Sequence, residues 1–340
     1  MRYARIMRPA PSTVAHLPGC LPGRLLACLA PLLVLLGCGE EATPPPPPPC
    51  QLNGNFQQTV FTVIGRDRAL RETSYGLLLA DRGTGEVLCS EYVQGWQDVY
   101  PASAIKTLIA VALLRKVDSG AVSLGDSVAI SQPNAAAECS QWDCSLYGPG
   151  KRVTVKTLLW DMITISNNLA TNQLIDVVGK DECNRTADLL GEPSLRIVRK
   201  VYDKVNPEPD ITSRNSATAA GLVELYREIL SGRLGVLRRE SRELLVDILV
   251  HQRINGSLSG DFPKQVPFYH KTGNTSEVSS DGGFYYLDAR AAVVLVALQG
   301  FVDFQAMRAV GRATLDLTLH LPRAMTPPAP LASLRPSLAP

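Results

Sequence analysis

The stretch PASAIKTLIAVALLRKVDS, residues 101–119, marks the point where the sequence changes from strand patterns to a helix. Before it, apolar runs at 74–80 and 86–92 are separated by turn residues, which predicts two strands joined as a hairpin. Within it, the pattern becomes helical at Ser103 and stops at Gly120, a residue that favours the end of a helix. The sequence therefore predicts a helix that directly follows the hairpin and carries a serine in its first turn.

Helical patterns fill the middle of the chain, and strand patterns return after Gly256. An irregular stretch at 191–215 contains three prolines, and a loop of that length in a compact domain is usually either functional or disordered. Further helices are predicted at 51–71, 154–165, 168–178, 183–190, 216–230, 239–250 and 303–319, and further strands at 268–271, 282–286 and 292–298. The predicted fold class is α/β (α+β): an antiparallel sheet from both chain ends, flanked by terminal helices, with an inserted all-helical lobe and a cleft between the lobes.

The composition excludes several classes of protein. Hydrophobic residues make up 45% of the 340 residues and charged residues 19%, so the chain can bury a core and is not wholly disordered. A net charge of +2 and an aromatic content of 6% argue against a nucleic-acid partner. No apolar run is long enough to span a bilayer.

The first segment is interpreted as a targeting signal rather than as part of the fold. Residues 1–37 contain several arginines followed by a short apolar run, the pattern of a secretory signal peptide, although a buried core helix is the alternative. The run ends in Leu-Leu-Gly-Cys, which resembles the bacterial lipobox and implies that Cys38 is lipidated. Residues 38–50 then form a proline-rich linker that would act as a stiff spacer. The resemblance implies a periplasm-facing lipoprotein, and it favours the outer membrane because Gly39 is not the aspartate associated with inner-membrane retention.

Eight cysteines are present, and export to an oxidising compartment would allow them to pair. We favour a local disulfide between Cys139 and Cys144, with Cys50–Cys89 as a second possibility and the pairing of Cys183 left open. Metal binding is the competing interpretation, but the four histidines form no ligand-spaced cluster. We therefore expect neither a metal nor an organic cofactor.

Three short motifs are candidates for a single site. Ser103-Ala-Ile-Lys106 places a lysine three residues after a serine, so on a helix the amine can approach the hydroxyl. A serine needs a base to become a nucleophile, and a lysine is a base only when its pKa is lowered. The helix start also supplies N–H groups suited to an oxyanion. The alternative is a helix-capping serine beside a surface lysine.

The other two motifs are Ser166-Asn-Asn168 and Lys271-Thr272-Gly273. The first lies at a break between two helical patterns, where its hydroxyl and carboxamide could face one cleft or could serve only as helix caps. The second ends a predicted strand, where glycine would allow a substrate backbone to come close. Each tripeptide alone carries little information.

Together, in this order and spacing, the motifs resemble the penicillin-recognising serine hydrolases, which include class A β-lactamases and D,D-peptidases. The spacing, 63 residues from Ser103 to Ser166 and 105 from Ser166 to Lys271, resembles that of class A. The resemblance covers the predicted domain at 51–321, with 51–101 and 254–321 as the α/β lobe and 102–253 as the helical lobe. A proline-rich tail at 322–340 is expected to be disordered.

The resemblance implies a role for each motif residue in acylation. Ser103 would attack a lactam or peptide carbonyl, and Lys106 would help to remove its proton. Ser166 would pass a proton to the departing nitrogen. The backbone N–H groups of Ser103 and Asn274 would form the oxyanion hole, where the loss of one donor costs about 3 kcal/mol in comparable enzymes.

The same resemblance implies which residues bind the substrate. Asn168 would bind its side-chain amide, and Lys271 and Thr272 would hold its carboxylate beside Gly273. Asn206 would correspond to the asparagine of the loop motif Glu-x-x-Leu-Asn.

In that loop the sequence departs from class A. The glutamate that activates the hydrolytic water is replaced by Tyr202, which is a poor base at neutral pH. Asp203 beside it could take over, Glu208 or Asp210 could act instead, or deacylation could be slow; a solvated loop carboxylate is the alternative for Asp203. The change to Asn167 in the middle of the second motif matters less, since D,D-peptidases vary there.

Two further observations carry less weight. His270 is interpreted as a strand residue rather than a catalytic one, because no Ser-His-Asp order is visible. Trp142 and Tyr147 flank the Cys139–Cys144 segment, where they could contact substrate or pack in the core.

The sequence thus predicts a monomeric β-lactamase-like serine hydrolase that acts on a small β-lactam. The alternatives are a D,D-carboxypeptidase-like enzyme acting on peptidoglycan stem peptides and a penicillin-binding sensor that deacylates slowly. A structural lipoprotein with vestigial motifs is a further alternative.

Overall fold

This computed structural model of the protein describes residues 52–135, 147–201 and 214–321. The strands are β1 (Thr73–Asp81), β2 (Val87–Val93), β3 (Ser127–Ala129), β4 (Arg152–Thr154), β5 (Tyr269–Asn274), β6 (Ser279–Tyr286) and β7 (Ala291–Gln299). The helices are α1 (Asn55–Ile64), α2 (Arg66–Glu72), α3 (Lys106–Asp118), α4 (Gln132–Ala135), α5 (Val155–Thr164), α6 (Asn168–Val178), α7 (Lys180–Leu189), α8 (Ala219–Ser231), α9 (Arg239–Val250) and α10 (Phe304–Leu319), with a 3₁₀ turn at Ala102–Ile105.

The main sheet has five strands in the order β2-β1-β7-β6-β5, and every neighbouring pair is antiparallel. Two strands come from before the helical region and three from after it, so both ends of the domain build one sheet. The predicted fold class, a mixed α/β fold with an antiparallel sheet and an inserted helical part, is confirmed. Among the strands that the structure describes, β5 lies at an edge of the sheet, so the strand that carries Lys271-Thr272-Gly273 pairs with β6 alone.

The core lies on both faces of the sheet. One face packs against α1 and α10, where Phe56 and Met307 meet strand residues such as Leu295. The other face packs against the helical part through residues such as Val294 and Val296. Since β7 is the middle strand and is covered on both sides, all nine of its residues are buried, which explains its continuous apolar sequence.

The central helix α3 is buried almost all round. Its first nine residues, 106–114, are all buried, and after Lys106 and Thr107 they are aliphatic. A helix that is apolar on every side belongs in the interior rather than at the surface. The buried helix therefore fixes the position of Lys106, its first residue, inside the protein and beside the sheet.

Several elements differ from the predictions. The single helix expected at 51–71 is two helices separated by Gly65, whose φ of 86° lies in a region that favours glycine. The short pair β3–β4 was not predicted, because three-residue strands leave little periodic signal. Ser103 was expected on a helix but lies in the 3₁₀ turn, one turn before α3 begins.

The described part of the chain also bears on the cysteines and on Tyr147. Cys89 takes part in a disulfide and Cys183 is a free buried thiol, while Cys50, Cys139 and Cys144 lie outside the described residues. Tyr147 is buried, and its hydroxyl donates to the Asp161 carboxylate, so it packs as a core residue. The predicted signal peptide, Cys38, the linker, Trp142 and the tail also lie outside the described residues. No helix within those residues is both long and apolar enough to cross a membrane.

Candidate active site

Ser103 lies in a strained turn held against β5. The preceding Ala102 has a φ of 46°, a left-handed conformation that non-glycine residues rarely adopt and that is concentrated at functional sites. Ala104 N–H donates to the Pro101 carbonyl at 3.0 Å and closes the turn. Ser103 itself is only partly buried, and its hydroxyl makes no hydrogen bond in the described parts of the chain. The serine is thus presented on a fixed backbone rather than tied into the core.

Gly273 allows this turn to touch the strand. A Cβ atom at this position would lie 2.3 Å from the Pro101 carbonyl oxygen, 2.5 Å from the Ala104 nitrogen and 2.8 Å from the Ser103 nitrogen. All three atoms belong to the backbone, so no side-chain rotation could make room. The glycine of Lys271-Thr272-Gly273 therefore makes room for the turn that carries Ser103. The sequence had instead predicted that this glycine makes room for a substrate.

Ser166 lies between two buried amines. Lys106 Nζ is 3.2 Å from Ser166 Oγ, and Lys271 Nζ is 3.0 Å from the same oxygen. Both lysines are fully buried, and Ser166 is 4% exposed. Ser166 adopts a φ of 58°, which makes it, with Ala102, the second non-glycine residue of the site in a left-handed conformation. Side chains that lie 60 and 105 residues apart along the chain therefore converge on one hydroxyl.

The hydrogen bonds of Lys106 are compatible with a neutral amine. Its Nζ is 2.8 Å from the Ser166 carbonyl and 2.7 Å from Asn168 Oδ1, two oxygens that can only accept. A neutral amine has two N–H groups for these acceptors and a lone pair for the Ser166 hydroxyl. Lys271 donates to the Ser166 oxygen and, at 2.7 Å, to the Thr272 carbonyl. The arrangement forms a path for a proton from Lys271 through Ser166 to Lys106.

Burial changes the acidity of both amines. Loss of solvation, reinforced by the nearby charge of Lys271, holds the pKa of Lys106 well below its usual range. Loss of solvation also lowers the pKa of Lys271 to about 7, and the carboxylate of Asp281 limits that fall. Lys106 is therefore able to act as a base at neutral pH, and Lys271 is the amine that retains a positive charge more readily.

Two elements that hold this centre, α6 and β5, also carry the other predicted binding residues that the structure describes. Asn168 is the first residue of α6 and is 3% exposed, with its carboxamide oxygen on Lys106. Thr272 and Asn274 follow Lys271 on β5, and Asn274 is the last residue of that strand. Asn167 caps α6 by accepting from Ala170 N–H at 2.8 Å. The middle residue of the second motif thus has a capping role that an aspartate could also fill.

Asp203 and Asn206, with Tyr202, lie outside the described residues. On either side of that segment, two asparagines outside the predicted motifs hold the chain. Asn172 exchanges hydrogen bonds with the backbone of Val201, at 2.7 and 2.8 Å. Asn215 accepts from Val198 and Arg199 N–H groups and donates to the Arg199 carbonyl. Both amide groups of these asparagines hydrogen-bond to backbone atoms, and no sequence motif predicts such contacts.

Within the described ranges, no group of three or more His, Cys, Asp or Glu side chains could hold a metal ion. The site offers a serine hydroxyl, two amines of lowered pKa and a bridging hydroxyl. Such a set can transfer an acyl group to serine and move the protons that this step requires.

Comparison with known proteins agrees with this arrangement. Residues 58–320 match the Beta-lactamase enzyme family. The β-lactamase AER-1 of Aeromonas hydrophila is 28% identical over 173 residues, which cover 50% of this chain and 55% of that protein, so the match spans little more than half of its length.

Solved structures match over a larger share of the chain. PBP-A is 26% identical and has a TM-score of 0.65, with 80% of this chain and 98% of that chain covered. A mutant of PBP-A has been solved as an acyl-enzyme complex with penicillin G. A β-lactamase from Sphaerobacter thermophilus is 25% identical, with a TM-score of 0.66 and coverage of 79% of this chain and 97% of that chain.

The fold and the site together define a class, the proteins with the mixed α/β fold shared by β-lactamases and penicillin-binding proteins. Within that class, the chain belongs to the Beta-lactamase enzyme family.

Proposed function

We propose that this protein is a serine hydrolase that opens the ring of β-lactams through an acyl-enzyme on Ser103. The observation that carries the proposal is the placement of the Ser166 hydroxyl between two buried amines whose pKa values are lowered. Membership of the Beta-lactamase enzyme family supports the substrate class. The penicillin acyl-enzyme formed by a PBP-A mutant supports the covalent intermediate.

Acylation would use the site as follows. The Ser103 oxygen attacks the lactam carbonyl carbon while Lys106 takes the hydroxyl proton, and an oxyanion forms against the N–H groups of Ser103 and Asn274. The carbon–nitrogen bond of the ring then breaks. Ser166 gives its proton to the departing nitrogen and is reprotonated along the path from the two lysines. Lys271 and Thr272 hold the substrate carboxylate, and Asn168 binds its side-chain amide.

Deacylation would add one water molecule to the ester. A base removes a proton from the water, whose oxygen attacks the acyl carbon, and the bond to Ser103 breaks as its oxygen regains a proton. We propose Asp203 as that base, because the class A glutamate is replaced by Tyr202 beside it. A D,D-carboxypeptidase-like enzyme or a slowly deacylating sensor would share acylation but would not efficiently hydrolyse the acyl-enzyme formed with a β-lactam.

A chromogenic cephalosporin tests this proposal when colour and intact mass are followed together. We expect repeated turnover by the protein and neither colour nor adduct with Ser103→Ala. The absence of both signals in the unmodified protein would reject the proposal. A single burst with a lasting adduct would instead assign the protein to the peptidase or sensor alternatives.

In the same time course, Asp203→Asn should lengthen the life of the adduct, and an unchanged lifetime would remove Asp203 from the mechanism.

We also propose that the protein is exported and held at a membrane by a lipid on Cys38, facing the periplasm. The apolar run that ends in Leu-Leu-Gly-Cys and the proline-rich segment after it support this location. Fractionation of cells tests it. Cys38→Ala should move the protein out of the membrane fraction, and an unchanged distribution would contradict a lipid anchor.

A further inference from the structure

Cys89 on β2 takes part in a disulfide whose partner lies outside the described residues. The other cysteine in the described ranges is Cys183, which is a free buried thiol. Cys89 is 4% exposed and belongs to the core cluster that α1 and α10 form with one face of the sheet. The helical part of the chain packs against the opposite face. A cysteine that reaches the sulfur of Cys89 therefore has to approach from the side of α1.

The chain that enters α1 lies on this side of the sheet and is held at β2. Leu52 is fully buried in the same core cluster as Cys89. Gly54 N–H donates to the Glu91 carboxylate at 2.7 Å. Glu91 lies two residues after Cys89 on β2, so the two side chains point to the same face of the sheet. Since Cys50 precedes the buried Leu52 by only two residues, the fold brings it close to Cys89.

The segment that contains Cys139 and Cys144 joins the domain on the other face of the sheet. On one flank, Asn134 of α4 donates to a side chain of α6 at 3.0 Å. On the other flank, Tyr147 lies in the core cluster of the helical part. The sheet therefore separates both flanks of this segment from the side chain of Cys89.

We propose that Cys50 and Cys89 form a disulfide that ties the proline-rich linker to the edge strand β2. Cys20 and Cys28 fall in the predicted signal peptide and Cys38 carries the proposed lipid, which leaves Cys50 as the partner on the correct side. As the sulfur–sulfur bond forms, the two thiols give up two protons and two electrons. The disulfide of a thiol oxidant takes up both and becomes a pair of thiols. The inference rests on the proposed export, because such oxidants act in an oxidising compartment.

The bond would change the point at which the tether leaves the domain. Without it, the linker continues into α1, so a pull on the lipid acts first on α1 and α2. With it, the pull acts on β2, which is hydrogen-bonded to β1 within the sheet. The bond also closes the loop 50–89, which contains α1, α2 and β1, and such a cross-link stabilises mainly by restricting the unfolded chain. The active-site residues lie on elements outside this loop, so the bond should leave the chemistry unchanged.

Peptide mapping of the full-length protein under non-reducing conditions tests the pairing. We expect a cross-linked pair of peptides that contain Cys50 and Cys89 and that separate on reduction. Cys50→Ser should abolish this pair and leave a free thiol at Cys89, whereas Cys183→Ser removes a cysteine elsewhere and should leave the pair intact. A peptide that joins Cys89 to Cys139 or Cys144 would overturn the proposal.

Thermal unfolding gives a second readout that requires no change to a buried residue. Cys50→Ser should lower the midpoint by about 5–10 °C, because the loop is no longer closed in the unfolded chain. A reductant should lower the midpoint less in this variant than in the unmodified protein, since the variant has no such bond to lose. Equal falls on reduction in the two proteins would overturn the proposal. Cephalosporin turnover below the unfolding range should be the same in both.

Pairing can be tested separately from export and from the proposed enzymatic function. Protein purified from the cytoplasm with reduced thiols should form the same cross-link when it is treated with oxidised glutathione. Formation of the link in this sample would sustain the inference even if the protein is not exported or does not hydrolyse cephalosporins. A thiol at Cys89 that stays unlinked to Cys50 after this treatment, in a protein that hydrolyses cephalosporins, would overturn the inference alone.

Discussion

Replacing Lys106 with methionine should lower the rate of Ser103 acylation by about a thousandfold, while the protein stays folded. General acid–base catalysis by a positioned side chain contributes about 10²- to 10⁴-fold, and Lys106 is the buried amine whose pKa is lowered most clearly by its surroundings. Methionine fills a similar volume but has no lone pair that can accept the serine proton. Methionine cannot donate to the buried Ser166 carbonyl and Asn168 Oδ1, which lose their Lys106 partner, so the thermal stability of the variant should fall even though a buried amine has been removed.

The measurement is the growth of the Ser103 adduct by intact mass under single-turnover conditions, with thermal unfolding followed in parallel. Lys156→Met makes the same chemical change on the exposed first turn of α5 and should leave acylation unaffected. If Lys106→Met formed the adduct at nearly the normal rate, the base would have to be another group. In that case the path through Ser166 would have no role in acylation.

Much of the fold could be predicted because its elements have strong patterns. The strands at 73–81 and 291–299 and the helices at 155–164 and 168–178 lie within a few residues of their predicted positions. The local structure of the site was harder to predict. Ser103 was placed on a helix, but the contact of its turn with Gly273 selects a 3₁₀ turn, and that contact joins residues far apart in the sequence.

The motif residues could be singled out by their order and spacing, but the properties that make them reactive could not. The lowered pKa of Lys106 arises from burial and from Lys271, which joins the site only through folding. Asp281 was not predicted to lie in a strand, because it comes directly before the strand predicted at 282–286. In the structure β6 begins earlier, at Ser279, and its register with β5 brings the aspartate to His270.

Gly273→Ala should lower acylation by about a hundredfold or more and should also reduce stability. Its Cβ would overlap three backbone atoms of the turn, at 2.3 to 2.8 Å, so the turn or the strand must move. Displacement of a reacting group by about 1 Å can cost about 10²-fold in rate. Overpacking of a close contact costs about 1–3 kcal/mol in the free energy of unfolding. The same displacement would move Ser103 N–H away from Asn274, whose N–H is proposed to share the oxyanion.

Gly148→Ala is the matched control, because a Cβ atom there meets nothing within 4 Å and no positive φ is involved. Adduct formation and thermal unfolding of the two variants should be compared at equal temperature. A rate close to normal in Gly273→Ala, with normal stability, would mean that the turn of Ser103 is not held by β5. A loss of stability with a normal rate would assign Gly273 to packing alone. A loss of rate that exceeds the loss of folded protein would show that the close approach of strand and turn is what sets the position of the nucleophile.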